Sequence, residues 1–415
     1  MPSPSRRLRL DDVDEHLRLR GFSLEPPCRV GVEIELLSFP AIDASARLRP
    51  DPLVRALEAG GPLPGGSRVT CEPGGQLELS SPPHRHVADA CGAAAADLAV
   101  ARTTASGLGI VLRGLGADPL RPPRRVVDSP RYGAMEAYFE ASGPAGRHMM
   151  CNTAALQVNV GLGPTPADVA RQWRLAHLLG PTLAAAFANS PLVEGRPSGF
   201  RSTRMAAWSA IDRTRSRPVD DGTPGPDAWA AYALNAQVML VRADEQRFVP
   251  LTTPLSLRRW VTEGHELGWP TTDDIDYHLS TLFPPVRPRG WLELRMVDSL
   301  PDPWWQVPVA VVAALLGDPE AGEAAARAAT GRADRWLDAA RTGLTHPGLA
   351  ARAEGCFDAA LDALERLGAA RLSGTVAAYA DRWVRRGRSP ADDLLDAWAD
   401  TGAVLARHAA EEVRL

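Results

Sequence analysis

Lysine is absent from this chain, and all 46 of its basic residues are arginine. Without lysine there is no Schiff-base residue and no P-loop lysine, so pyridoxal chemistry and Walker-type phosphate binding are excluded. Any phosphate must be met by arginine, backbone N–H groups or metal. Cysteine is scarce. Its five positions (Cys28, Cys71, Cys91, Cys151 and Cys356) are scattered with no CxxC pair, which suggests neither a zinc site nor a disulfide framework. Buried free thiols are expected instead. Nowhere does an uncharged apolar run reach the roughly 18 residues a membrane span needs, and residues 1–20 hold no signal-peptide core. The expected location is the cytoplasm, with no membrane partner. A net charge of -4 gives no reason to expect nucleic acid, so small molecules are the expected partners.

What is present is an alternation of acids and aliphatics. In Val32-Glu33-Ile34-Glu35-Leu36, a strand would put Glu33 and Glu35 on one face and the aliphatics on the other. The design returns at Gln76-Leu77-Glu78-Leu79, Leu156-Gln157-Val158-Asn159-Val160 and Leu292-Glu293-Leu294-Arg295-Met296. Any one of these, taken alone, reads first as an antiparallel strand with a wetted face. Taken together they bring Glu33, Glu35, Glu78 and Glu293 within reach of one polar surface. Like charges facing each other across strands destabilise a sheet unless something neutralises them. Divalent cations with oxygen ligands, Mg2+ above all, are the natural counter-charge. Glu72, ahead of the turn Pro73-Gly74-Gly75, joins the same face if that turn folds back.

Around these strands the sequence predicts helices over 52–59, 87–107 and 166–188, a helix through Met135, Tyr138 and Phe139, and a short amphipathic helix followed by a turn at Pro26-Pro27 within 1–28. It predicts strand over 109–112, 149–160 and 291–297. Residues 227–242 read as helix or strand, and 252–283 as helical segments broken at Gly268 and Pro270. Residues 196–217 hold six arginines, among them Arg204 and Arg215, around Trp208 and Asp212. They form either a solvated basic loop or a set of forks for carboxylate and phosphate oxygens. From 304 onward the chain is alanine- and leucine-rich with helical spacing. The fold class is therefore α+β: an antiparallel sheet clad by helices, with a helical C-terminal region. A core over 1–302 and helices over 303–415 packed on it are expected, with no linker to mark a second independent domain. His84 and His86 have ligand-like spacing but no third partner, and read as loop or helix cap. Nothing beside Cys151 would activate a thiolate.

With these segments in order, the chain resembles the glutamate-cysteine ligases of the plant and bacterial type, most closely the actinobacterial branch of ergothioneine biosynthesis. The resemblance covers residues 28–318. It rests on Gly31-Val32-Glu33-Ile34-Glu35, the block from Glu72 to Ser80, Arg131-Tyr132 with Met135, Thr153 to Asn159, Phe187 to Pro191, Gly199 to Trp208 with Asp212, and Trp291 to Arg295 with Asp298. It implies a glutamine-synthetase-like curved sheet around an ATP and metal site, and the ATP-dependent joining of L-glutamate to L-cysteine through a γ-glutamyl phosphate. Glu33, Glu35, Glu78 and Glu293 are the implied ligands of two or three Mg2+ ions, and Glu35, Glu78 and Arg295 the catalytic residues. Gln157, Asn159, Arg215 and Arg295 are placed near ATP. Arg204, Trp208, Tyr132, Met149, Met150 and Tyr232 are placed near the amino acids. A monomer or weak homodimer is expected. A γ-glutamyl ligase using another amine, a metal-dependent phosphohydrolase and a non-catalytic relative that only binds ATP or amino acid are the competing readings.

Overall fold

Residues 7–22, 29–219, 222–244, 247–329 and 335–401 are described by a computed structural model of the chain. The expected turn at Pro26-Pro27, Cys28 and residues 402–415 lie outside them.

The acidic strand is the centre of a seven-stranded antiparallel sheet. It is β1 (Val30–Pro40), and it is long enough to pair with three neighbours. Arg68–Cys71 (β2) pairs with Leu77–Ser80 (β3), which lies along the first half of β1. Ile110–Arg113 (β4) takes the second half, and Ala155–Gly161 (β5) runs along the other edge. Beyond β5 come the strand Trp291–Asp298 and then the short strand Val286–Pro288. The register against β5 shifts between Leu294 and Val297, while on the other side the Arg295 N–H extends the pairing with Val286–Pro288 by donating to the carbonyl of Pro285. A bulge of this kind re-aims side chains locally.

The aliphatic half of the alternation makes the core. Val32, Ile34, Leu36, Leu77, Leu79, Leu156, Val158, Leu292 and Leu294 are all buried in one cluster. The helices Val87–Gly107 and Pro166–Ala186 pack against that sheet, as expected from their spacing. Helices Gln306–Gly317, Pro347–Arg366 and Ala370–Arg382 form the C-terminal region, and their buried side chains belong to the same cluster as the sheet's. No described helix is long and apolar enough to cross a membrane.

One segment departs from its expected conformation. Residues 149–160 read as continuous strand, but Ala145–Asn152 is a helix and the strand begins only at Ala155. The Thr153 hydroxyl donates to the carbonyl of Met149 at 2.6 Å, closing the helical turn before the chain extends. Met149 and Met150 thereby leave the sheet and join a separate cluster with Met135, Phe139 and Ile211. Residues 225–242 resolve into a helix, Gly225–Asn235, and a short strand, Leu240–Arg242.

Candidate active site

The polar half of the alternation faces a cavity of about 540 Å³. Its lining includes Glu33, Glu35, Glu72 and Glu78, with Gln157 beside them and Arg295 behind. The register explains the grouping: Glu35 stands directly opposite Glu78, Glu33 opposite Gln157, and Glu293 opposite Asn159. Glu72 joins them because the turn at 73–75 does fold back. Gly75 sits at φ +89°, and a Cβ on Gly74 would lie 1.9 Å from the carbonyl oxygen of Cys151, so a side chain there would force the turn away.

The carboxylates are held by neutral donors. Glu35 accepts the Ala155 N–H at 2.7 Å and the Gln157 amide at 3.1 Å. Glu33 accepts the Asn159 amide at 3.1 Å, and Glu78 accepts the hydroxyls of Thr70 at 2.7 Å and Ser80 at 2.9 Å. Such donors orient the oxygens without cancelling their charge. Burial, reinforced by Glu293 and Glu78, pushes the Glu33 carboxyl up to about 7. Burial and then Glu78 raise Glu35 as well, and burial with Glu78 and Glu35 raises Glu72. Arg295 offsets this only in part, and closely spaced acids short of counter-charge are a donor set that suits a hard cation. Among the described residues, however, no three His, Cys, Asp or Glu side chains are gathered closely enough to hold a single ion. The set fits ions that take one or two protein carboxylates and complete their shell with phosphate and water, the habit of Mg2+.

Glu293 differs from the other three. It is fully buried beneath the cavity and is tied to Arg287 at 2.6 and 3.0 Å, to Arg289 at 3.2 Å and to Arg295 at 3.1 Å. Burial alone would raise its pKa, but the Arg287 and Arg295 guanidiniums hold it well below the usual carboxylate range. In this arrangement Glu293 does not line the cavity; it anchors Arg295, whose guanidinium also donates to the Gln157 side-chain oxygen. Asn159 likewise sits one layer back, donating to Glu33 while its carbonyl accepts the Trp291 N–H at 3.2 Å.

Opposite the acids the wall is soft and apolar. Tyr132, Met135, Met149, Met150, Trp208 and Phe283 line it. Besides Glu293 and Asn159, three expected contacts are not in the lining. Arg204 is 1% exposed, with its guanidinium on Asp298 at 3.4 Å and on the backbone carbonyl of Arg295. Arg215 is fully buried and donates to Asp212 at 2.9 Å, to the Thr281 carbonyl at 2.7 Å, to the Tyr138 hydroxyl and to the Gln237 carbonyl. Tyr232 lies in the core, stacked on Trp229 at 5.8 Å. A guanidinium whose N–H groups already have partners meets no ligand without first breaking them.

The cavity also holds residues absent from the sequence-based site. For Glu72 the sequence offers only the condition that its turn folds back. Arg131, which donates to Ser280, and Arg68 line the cavity too. In the sequence Arg131 has no signal beyond its place beside Tyr132. Gln76 donates to the Thr153 carbonyl at 2.7 Å, while its own side-chain oxygen is buried without a partner. Cys151 is buried with its thiol pushed up to about 12, first by desolvation and then by Glu136, which fits the expected absence of a nucleophile. Cys91 and Cys356 are buried and Cys71 half-buried, all free thiols. His84 is half-buried beside β1, and His86 is exposed where the helix Val87–Gly107 begins.

The sequence model of glutamate-cysteine ligase family 2 matches residues 29–413. The chain is similar to the glutamate-cysteine ligase EgtA of Mycolicibacterium smegmatis, at 43% identity over 407 residues covering 96% of this chain and 92% of the relative. It is similar to the EgtA of Mycobacterium tuberculosis at 44% over 380 residues, covering 89% and 86%. Similarity to the chloroplastic glutamate-cysteine ligase of Arabidopsis thaliana is lower, 31% over 358 residues covering 80% and 66%. A solved glutamate-cysteine ligase from Francisella tularensis in complex with AMP superposes with a TM-score of 0.48 at 13% identity, over 91% of this chain and 86% of that one.

Proposed function

Because the chain belongs to glutamate-cysteine ligase family 2, we propose that it joins the γ-carboxylate of L-glutamate to the amine of L-cysteine, driven by ATP, and that the γ-glutamylcysteine formed serves ergothioneine biosynthesis in the cytoplasm. The observation that carries this reading is the pairing of Glu35 with Glu78, flanked by Glu33 and Glu72, in a cavity that also presents Arg295. It is a surface suited to bringing phosphates together with a carboxylate.

A carboxylate is a poor electrophile. Its γ-oxygen must first take the terminal phosphoryl group of ATP, giving a γ-glutamyl phosphate whose phosphate then leaves when the cysteine amine attacks the acyl carbon. Catalysis of the first step is mostly positioning and charge neutralisation. Mg2+ held by Glu33, Glu35, Glu72 and Glu78 would supply the larger part of that neutralisation. Arg295 supplies a fixed positive charge, aimed by Glu293 and Gln157, for the transferring phosphate. Gln157 also steadies Glu35, so one amide links the cation face to the arginine. Arg131 is positioned to pair with a substrate carboxylate, and Tyr132, Met149 and Met150 offer the cysteine side chain a polarisable wall. Arg204 supports the site from behind, holding the backbone of Arg295 through its own bond to Asp298.

The test is ADP release and product mass with each substrate omitted in turn. Release that needs ATP, glutamate and cysteine together, with γ-glutamylcysteine as product, is expected. Release indifferent to cysteine would replace the acceptor, and phosphate release without glutamate would replace the reaction.

A further inference from the structure

A second cavity, also of about 540 Å³, shares Trp208, Phe283 and Arg295 with the acidic one. The two differ sharply in charge. The first mixes five carboxylates (Glu33, Glu35, Glu72, Glu78 and Asp276) with arginines that include Arg68, Arg131 and Arg287, whereas the second has no carboxylate among the described residues of its lining. It presents Arg213, Arg217 and Arg341 instead, with Arg295 in the shared wall. None of the first three is ion-paired to a described residue; Arg341 lies over the Phe200 ring at 5.6 Å and Arg217 over Tyr232 at 5.2 Å. Phe200, Trp336 and Leu337 give the same hollow an apolar side. The shared wall also contains two buried donors without a partner, Nε of Arg295 and Nε1 of Trp208.

Arg213, Arg217 and Arg341 are exposed, so water screens much of their mutual repulsion, but the unpartnered Nε of Arg295 and Nε1 of Trp208 are buried and carry a desolvation cost. An anion removes that cost, and a flat or aliphatic body covers the apolar side. We infer that this second cavity binds a small molecule carrying a carboxylate or phosphate-like group on an aromatic or aliphatic body, and that its occupancy is felt in the catalytic cavity through Arg295. The route is short. The Arg295 guanidinium is held by Glu293 at 3.1 Å and by Gln157, and an anion on its other side competes with both for its charge. Coupling of this kind is reciprocal, so ligands of the two cavities weaken each other. The coupling rests on the ligase reading, whereas the binding does not.

Phenylphosphonate, an aromatic anion that cannot be hydrolysed, is the probe. It is titrated by calorimetry into the full chain with ADP, Mg2+ and glutamate filling the catalytic cavity. One equivalent should bind, and Arg213→Gln and Arg341→Gln should each weaken binding about tenfold, as loss of a charge-assisted hydrogen bond does. Both variants should keep the wild-type rate of ADP release without the probe. Methylphosphonate and benzyl alcohol, each carrying half the chemistry, should bind more weakly. Probe affinity that falls without limit as ADP rises, rather than levelling off, or unchanged affinity in both variants, would overturn the site. Binding that leaves the KM for ATP and kcat unchanged in wild type would overturn the coupling. Probe binding by a chain that forms no γ-glutamylcysteine would sink the ligase reading and leave the site standing.

Discussion

Glu35 and Glu78 face each other at the same level of adjacent strands, an arrangement that costs stability and is retained where function needs it. Glu35→Gln keeps the shape and removes one charge. We expect formation of γ-glutamylcysteine to fall by about 100-fold or more, the usual loss when a group that stabilises transition-state charge is removed. Stability in EDTA should instead hold or rise by up to about 1 kcal/mol as the repulsion is relieved. Urea unfolding beside an ADP-release assay separates the two effects, and loss of both would make Glu35 a structural residue. Glu293 predicts the opposite pattern, because it is buried and paired with Arg287. Arg287→Leu strands part of that charge and should destabilise by about 3 kcal/mol, while Arg287→Leu with Glu293→Leu should recover most of the loss. No loss in the single variant would mean that Arg289 and Arg295 suffice to hold Glu293, and no recovery in the double would mean that they are themselves stranded without it. The sequence separated neither case: Glu35 and Glu293 sit in nearly identical strings, and only the fold shows that one faces a cavity and the other three arginines.

At the scale of elements, the two-residue period made the sheet legible, since Val32, Ile34 and Leu36 could be buried only if Glu33 and Glu35 shared the opposite face. The helix Ala145–Asn152 was not legible, because a short apolar run such as Met149-Met150-Cys151 suits either conformation until tertiary contacts choose. The arginine-rich stretch illustrates the same limit. Arg204 and Arg215 read as ligand forks, yet their partners Asp298 and Asp212 bury them, and no spacing rule links residues 204 and 298. The turn that carries Glu72 is open to direct test. Gly74→Ala has no room against the Cys151 carbonyl, so we expect a loss of about 1–3 kcal/mol in thermal or urea unfolding. Activity should fall as Glu72 is displaced, and a fully active, fully stable variant would show that the turn has slack. The helix Thr272–Ser280 carries a second test. His278 donates its Nε2–H to the Ala233 carbonyl at 3.0 Å, and burial, then the nearby Arg215 guanidinium, push its pKa down to about 3 from 6.5, with that hydrogen bond and Asp212 opposing. The folded state thus keeps it neutral while the unfolded state takes a proton. Its contribution is intact above pH 6.5 and is lost progressively as pH falls toward 3, by roughly 2 kcal/mol at pH 5. His278→Gln should flatten that part of the stability profile, and an unchanged slope in the variant would assign the acid sensitivity to other groups.

For the whole molecule, the question is whether the C-terminal helices are a separate unit or part of one core. Helix Gln306–Gly317 buries Val307, Val309, Val311, Val312, Leu315 and Leu316, and these belong to the same cluster as the sheet's Leu156, Leu292 and Leu294. Burying a side chain of this kind contributes roughly 1.5–3 kcal/mol, so the six together account for about 10 kcal/mol or more, as much as the entire stability of an ordinary domain. A chain cut after residue 302 would leave that surface of the sheet open to water. We therefore expect residues 1–302 alone to show no cooperative unfolding transition and no ADP release, although every carboxylate of the cavity is retained. Both should return when 303–415 is supplied as a separate chain, provided that the two pieces bury the same surface together. A fragment of 1–302 that unfolds cooperatively and binds ATP would show instead that the sheet closes its own core and that the helices are an addition to it.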